Sequence, residues 1–376
     1  MKVAYDHQVF IRQSHGGISR YFAELVQNLQ QRADVEPTVI APVHLNEYLL
    51  RTGIRQRVRG RFLPLTFRGN GRVVSALNAV LLPYYWLGSK FDVLHETYYS
   101  ESHRGKCRVR ILTIYDVIHE LFPHEFPDSE QISRAKRAAI RRADHVICIS
   151  ETTRQDAIRL LGLAPEQSSV IYLGWSLDGE VASTSPKVAG KPYVLYVGTR
   201  NEYKNFGILL EAFASSALLR QNFDLVAFGG RGFSAAEAKE IQRVGLTDCV
   251  RHVRGDDGLL KAYYRAATAF VYPSRYEGFG IPPLEAMANG CPVACSNAGS
   301  ICEVVGDAAA YFDPDDAEQL RLILERLAQD TRFADDLRAR GFERIKKYSW
   351  EKCAAETLAV YERLTSSQVA ATGLRS

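Results

Sequence analysis

The segment RYEGFGIPPLEAMANG (275–290) decides how this chain is read. It follows AFVYPS (269–274), an apolar run of strand type bounded by proline and serine. Glu277 and Glu285 bracket a Gly-Phe-Gly turn and a pair of prolines. Pro283 disfavours helical geometry at the residue before it, so a helix is expected to begin near 283 with proline in its first position. Glu285 then lies in the first turn, Leu284, Met287 and Ala288 form the inner face, and Gly290 ends the helix. Free N–H groups at such a helix start, with those of Gly278, Phe279 and Gly280, make a concavity suited to anions and hydroxyls.

Working outward, the chain alternates strands with helices on both sides of this segment. YVLYVG (193–198), FDLVAFG (223–229), VRHVRG (250–255) and PVACS (292–296) are strands, separated by helical patterns from about Asn205, over 234–244 and over 256–267. Further helical patterns cover 315–329, 332–347 and 350–364. The N-terminal half repeats the alternation. KVAY (2–5), TVIA (38–41), DVLH (92–95), RILTIY (110–115), HVICIS (145–150) and SVIYL (169–173) are strands. GISRYFAELVQNLQ (17–30) is a helix with Ile18, Tyr21, Phe22, Leu25 and Leu29 on one face. This order predicts an α/β protein with two doubly wound parallel sheets, each binding ligands at the carboxyl ends of its strands across a shared cleft. Its expected domains are 1–180, 191–348 and a terminal element over 349–376, with DGEVASTSPKVAGKP (178–192) as the linker.

Composition sets the outer bounds. A length of 376 residues suits about two domains. Apolar residues are 46% and charged residues 24%, as in soluble globular proteins, and a net charge of +4 implies no nucleic-acid partner. MKVAYDHQVF reads as a first strand and not as the apolar core of a signal peptide. No run of ~18 apolar residues exists to span a bilayer. The cysteines (Cys107, Cys148, Cys249, Cys291, Cys295, Cys302 and Cys353) are odd in number and scattered, which predicts reduced core residues and a cytoplasmic chain. Cys291, Cys295 and Cys302 lack the paired short spacings and histidines of a zinc site.

One stretch stands apart. RTGIRQRVRGRFLPLTFRGNGR (51–72) carries seven arginines and no acid, and ALNAVLLPYYWLG (76–88) follows it. The two readings are a basic loop with a buried helix, or a surface for an anionic membrane or a lipid-pyrophosphate substrate, peripheral on the inner face of the plasma membrane.

Carboxylates beside an anion site make sense if they bind neutral hydroxyls on either side of it. A nucleotide sugar has that form: ribose hydroxyls, a diphosphate, then hexose hydroxyls. Cations for the diphosphate are present in VGTRNEYKNF, where Arg200 and Lys204 follow the first strand of the second half. The phrase EGFGIPPLEA, followed by GCPVA (290–294), resembles the donor-binding motif of retaining glycosyltransferases of the GT-B fold, glycosyltransferase family 4. The resemblance extends to GGISRY (16–21), to Arg200 and Lys204, and to YSWEKCAAETLAVYERL (348–364), and covers nearly the whole chain. It implies two Rossmann-like domains, the N-terminal one for the acceptor and the other for the donor, with a C-terminal helix crossing back. It also implies that Glu285 holds the ribose hydroxyls, that Glu277 holds the 3- or 4-hydroxyl of the sugar, and that the backbone N–H groups of Phe279 and Gly280 contact that sugar, with Gly278 on the same donor-binding loop. Arg200 and Lys204 then neutralise the leaving diphosphate without a metal or other cofactor. Gly16 and Gly17 approach the phosphate and the acceptor, and the base packs near Arg254 and Leu259. Asp116 and His119 of YDVIHELFP (115–123) are the candidates for the sugar 6-hydroxyl or the reaction centre, and Tyr115 stands where many relatives carry histidine.

The expectation is thus a metal-independent hexosyltransferase, with GDP-mannose slightly favoured as donor and a glycan or lipid-linked acceptor in surface polysaccharide synthesis. Rival readings are weaker. A glycosidase needs carboxylates facing each other across a bond, and Glu277 and Glu285 share one local segment. Asp313-Pro314-Asp315 fits the string of a metal-dependent transferase, but a strand end, a proline turn and a helix cap explain it better. A non-catalytic nucleotide-sugar binder, an epimerase and a synthase of the same fold remain as alternatives.

Overall fold

The computed structural model describes residues 1–64, 70–102, 105–177, 180–181 and 190–373. Most of the expected linker, and Arg68 of the arginine-rich stretch, lie outside the described residues. The chain divides into two units: Met1–Gly174 with Trp350–Ser376, and Trp175–Ser349.

The first unit holds a seven-stranded sheet of β1 (Lys2–Tyr5), β2 (Glu36–His44), β3 (Val58–Phe62), β4 (Phe91–Glu96), β5 (Cys107–Ile114), β6 (His145–Cys148) and β7 (Ser168–Val170). The order is β3-β2-β1-β4-β5-β6-β7, and the pairs are parallel, with Val3 opposite both Pro37 and Val93. Strands buried on both faces explain runs such as VIA in β2 and ILTI in β5, which show no polar alternation. β3 was not expected, because it lies in the arginine-rich stretch. Arg59 and Arg61 point outward from this edge strand, and their charge discourages further strand pairing there. Gly60 is required by close approach, since a Cβ would sit 1.7 Å from the Ala41 carbonyl oxygen.

The helix Asn70–Trp86 is neither a loop nor fully buried. Val74, Asn78 and Leu82 face the sheet, and Asn78 is tied to Val43 of β2 through Nδ2 to the carbonyl at 2.8 Å. The terminal helix Trp350–Gly373 packs on the helix Gly17–Leu29 and on β5. Its Tyr361 hydroxyl meets His95 Nδ1 at 2.6 Å in a fully buried spot, and His95 Nε2 meets Thr113 Oγ1 at 2.7 Å. Burial without a carboxylate partner pushes His95 down to about 3, so it is neutral at pH 7.

The second unit holds β8 (Tyr193–Val197), β9 (Asp224–Phe228), β10 (Val250–Val253), β11 (Ala269–Tyr272), β12 (Val293–Ser296) and β13 (Ala310–Phe312), in the order β10-β9-β8-β11-β12-β13. These strands are also parallel, and Val194, Leu225, Val271, Ala294 and Phe312 share one core with Leu209, Phe213 and Leu324 of the flanking helices. Each sheet therefore reverses its winding direction once, between β1 and β4 and between β8 and β11. Such switch points leave a crevice at the carboxyl ends of the two strands. Among the described residues no helix is long and apolar enough to cross a membrane.

Candidate functional site

The crevice of the second unit is built by the connections after β8 and β11. Lys204 lies on the first, Glu277 on the second, and Lys204 Nζ bonds Glu277 Oε1 at 2.6 Å. The backbone joins the same loops, with Arg275 N donating to the Tyr203 carbonyl at 2.8 Å. Lys204 closes a single 3-10 turn, after which Asn205 takes the left-handed conformation (φ 57°) and opens the helix Phe206–Ser215. The Asn205 side chain donates to the Pro314 carbonyl at 2.7 Å and so fixes that reversal. On the other side Ser300 pins the glycine loop, its hydroxyl donating to the carbonyls of Glu277 at 2.8 Å and Phe279 at 3.0 Å. Tyr272 and Tyr196 flank the pair, and burial followed by the Glu277 charge pushes both phenols well up, so both remain donors.

Arg200 is held differently. Its side chain is only 4% exposed, and Nε donates to Glu237 Oε1 at 2.6 Å. Nη2 donates to the carbonyls of Arg231 at 2.5 Å and Gly232 at 3.3 Å. Nη1 is buried and has no hydrogen-bond partner among the described residues. An unanswered guanidinium N–H costs about 1–3 kcal/mol or more, which a ligand oxygen would recover. Glu237 was not foreseen from sequence. It serves both Arg200 and the capping box of the helix Ala235–Arg243, where it accepts from Ser234 N at 2.7 Å. Partial burial would raise its pKa, but hydrogen bonds from Ser234 and then Arg200 hold the carboxyl below its ordinary value.

The helix of the quoted segment runs Ile281–Ala288, so it starts earlier than the prolines suggested. Pro282 and Pro283 occupy its second and third positions, where the missing N–H groups would have had no intrahelical partner anyway. Gly280 precedes it with φ 106°, a conformation that disfavours any side chain. Glu285 consequently falls in the second turn rather than the first. It is 6% exposed, and Tyr264 Oη donates to its Oε2 at 3.4 Å. Leu284 and Met287 are buried as expected, whereas Ala288 is only half-buried. Gly278 and Phe279 lie on the pinned loop, with Phe279 buried against Tyr348 at a ring distance of 5.6 Å. Arg254 is exposed on the connection after β10, whereas Leu259 is half-buried within the first turn of the helix Asp257–Ala266, where its N–H donates to the Asp256 cap at 2.9 Å. Within the DPD string, Asp315 pairs with Arg275 and Asp313 accepts from Asp315 N at 2.8 Å. The following helix is capped by Asp316, which accepts from Gln319 N.

The remaining candidates belong to the first unit. Gly16 is the N-cap of the helix Gly17–Leu29 in an extended conformation, with the Gln13 carboxamide folded over it and accepting from Ser19 N at 3.1 Å. Gly17 is exposed. Asp116 and His119 lie after β5, on either side of the start of the short helix Ile118–Leu121, where Asp116 accepts from Ile118 N at 3.2 Å. His119 is half-buried, and its Nδ1 has no partner among the described residues. Burial first, then the nearby Lys136 charge, lowers its pKa and keeps the ring neutral. Lys136 was missed from sequence. It is fully buried, with Nζ donating to the Asp116 carbonyl and to Glu120 Oε2, each at 2.9 Å. Tyr115 is a core residue whose hydroxyl donates to the Thr97 carbonyl at 3.3 Å.

Comparison with known proteins agrees with this architecture. The family described as glycosyl transferases group 1 matches residues 180–344, and glycosyltransferase family 4 matches 15–178. The O-antigen chain mannosyltransferase B of Escherichia coli is 30% identical over 269 residues, covering 68% of this chain and 70% of that protein. The serotype-specific mannosyltransferase WbdA of Escherichia coli, 27% identical over 261 residues, is longer, and this chain spans 31% of it. Among solved structures, sucrose-phosphate synthase from Thermosynechococcus elongatus superimposes with a TM-score of 0.74 at 22% identity, over 98% of this chain and 100% of that one. Anabaena HepE, in complex with UDP-glucose, gives 0.69 at 20% identity, over 96% and 100%. The chain belongs to the group 1 glycosyltransferases of glycosyltransferase family 4 and is a hexosyltransferase with the GT-B fold.

Proposed function

We propose that the chain transfers a hexose, with GDP-mannose the favoured donor, to a glycan or lipid-linked acceptor in surface polysaccharide assembly, with retention of configuration and without a metal. The observation that carries this reading is the crevice between β8 and β11, where the Lys204–Glu277 pair lies on the same connections as Arg200 and its unanswered Nη1. Breaking the anomeric C–O bond leaves negative charge on the diphosphate. Arg200, Lys204 and the N-terminus of the helix Ile281–Ala288 stabilise that charge in place, which is the preorganised electrostatics that such a step needs. Glu277 and Glu285 take the neutral hydroxyls, and the leaving phosphate accepts the proton of the acceptor hydroxyl. Mannosyltransferase relatives support the choice of sugar. Asp116 and His119 are assigned to the transferred sugar, with His119 neutral and able to accept or donate one hydrogen bond.

The proposal extends to a peripheral membrane contact. Val73, Leu77, Val80 and Tyr84 are 41–72% exposed along one stripe of the helix Asn70–Trp86, and exposed Arg55, Arg59, Arg61 and Arg72 lie in the same region of sequence. Charge reversal at Arg55, Arg59 and Arg61 should abolish sedimentation with anionic vesicles, and unchanged sedimentation would remove this part. The central test is a thermal-shift panel of nucleoside diphosphates and nucleotide sugars in excess chelator. Selective stabilisation by GDP and GDP-mannose supports the reading, and no shift with any of them sinks it.

A further inference from the structure

Arg200 belongs to the connection after β8, yet its head group is held from the neighbouring strand's side. Nε donates to Glu237 Oε1 at 2.6 Å, and Nη2 donates to the Arg231 and Gly232 carbonyls on the connection after β9. The guanidinium carbon lies 4.8 Å from the centre of the Phe233 ring and 5.9 Å from that of Phe206. A guanidinium has five N–H donors in one planar fork. Those on Nε and Nη2 are engaged, so the spare ones share Nη1, which is buried and has no partner among the described residues. Gly230, at φ 63°, keeps the space beside that nitrogen clear. A Cβ there would lie 3.5 Å from Nη1 and 3.0 Å from the Gly198 carbonyl oxygen.

Glu237 is the charged member of this cage, and its charge runs against anion binding. A carboxylate beside Arg200 lowers the positive potential that the cation shows to a phosphate, so attraction alone would favour a neutral residue. Direction is what the acid supplies. Both of its oxygens are used, Oε1 by Arg200 and Oε2 by Ser234 N at 2.7 Å, which anchors the side chain to the start of the helix Ala235–Arg243. A glutamine has one acceptor oxygen and would turn an N–H toward one of these two donors. A donor fixed in place before the charge develops needs no reorganisation at that moment. We infer that Glu237 is a positioning residue that locks the Arg200 fork so that Nη1 is aimed at one oxygen of the leaving diphosphate. The inference rests on the proposed function for the identity of that anion. It adds that an acid in the capping box of a flanking helix sets the strength of the anion site.

The test is isothermal titration calorimetry of the full chain with inorganic pyrophosphate and, separately, with GDP, in excess chelator. Attraction alone predicts that Glu237→Gln binds both probes more tightly. Positioning predicts the opposite sign, a loss of about tenfold. Arg200→Gln should lose at least as much. Adding Glu237→Gln to it should change binding by less than about twofold, because the acid then has no fork to orient. Glu240→Gln, on the same helix and paired with Arg243 at the surface, should match the unmodified protein. Circular dichroism checks that each variant is folded. Equal or tighter binding in Glu237→Gln overturns the positioning role. So does an equal loss with and without Arg200, which would make Glu237 a support of its helix. A chain that binds GDP equally with and without Glu237 keeps its proposed function and loses this inference. Pyrophosphate binding without GDP binding removes the choice of nucleotide and still judges Glu237 on pyrophosphate. If the unmodified chain binds neither probe, the diphosphate reading of Arg200 falls, and this inference falls with it.

Discussion

The two units share one strand order up to the seventh strand of the first, yet their switch points carry opposite chemistry. Between β8 and β11 the charges face one another and stay partly unsatisfied: Lys204 on Glu277, and Arg200 with a spare N–H. Between β1 and β4 the acids are locked by their own neighbours, Glu96 by two arginines and Asp6 by Thr97 and Gln8. One sheet thus keeps an unanswered buried guanidinium N–H at its crevice, and the other spends two arginines on its own acid. The lesson is that loops, not the scaffold, decide what each crevice binds.

The difference can be broken most forcefully at Lys136, a fully buried cation that answers Glu120 and Asp116 in the first unit. Lys136→Met leaves buried carboxylate without its partner and should destabilise that unit by about 3–5 kcal/mol, read by chemical denaturation. Equal loss of hydrogen-exchange protection in both units would contradict the assignment of this ion pair to the first unit alone. Next, Lys204→Met in the second unit should cut kcat by about 10²–10³-fold while leaving the fold intact. A change confined to KM would place Lys204 in ground-state binding only.

Acid should also separate the units. His95, His44 and His145 all belong to the first unit, and burial holds them at about 3, 4 and 4. Each folded pKa lies below the unfolded value near 6.5, so their contribution is fully present above pH 6.5. It is lost progressively as pH falls from about 6.5 to the folded values of about 4 and 3, because over that window the unfolded chain binds more protons. Hydrogen exchange at falling pH should show β2, β4 and β6 opening before β8, β9 and β11, and the reverse order would contradict the histidine account. The smallest effect is expected from Tyr361→Phe, which removes the hydroxyl bonded to buried His95 and should cost about 1–3 kcal/mol in thermal or denaturant unfolding.

Much of this was legible in the sequence because it is local. Apolar runs mark the strands, and the chain from Glu277 to Gly290 carries its own turn and helix signals. Lys204 and Glu277 were named together from a motif, and the structure joins them directly. What escaped is mostly long-range. Glu237 reaches Arg200 from a helix thirty-seven residues later, and Lys136 reaches back to the Asp116 carbonyl from the next helix; neither has a spacing signature. β3 was hidden because an edge strand tolerates arginines that a central strand would not. The start of the helix at Ile281 was misread because the rule against helical geometry before proline yielded to the first turn, where proline's lost N–H matters least.

The central claim is that the diphosphate of the donor seats between the connections after β8 and β11. Amide hydrogen exchange of the full chain, with and without saturating GDP, measures this directly. The account predicts added protection at residues 198–205 and 277–281, reduced by Lys204→Met. Protection confined to the connections after β1 and β4 would place the nucleotide in the other crevice and contradict it.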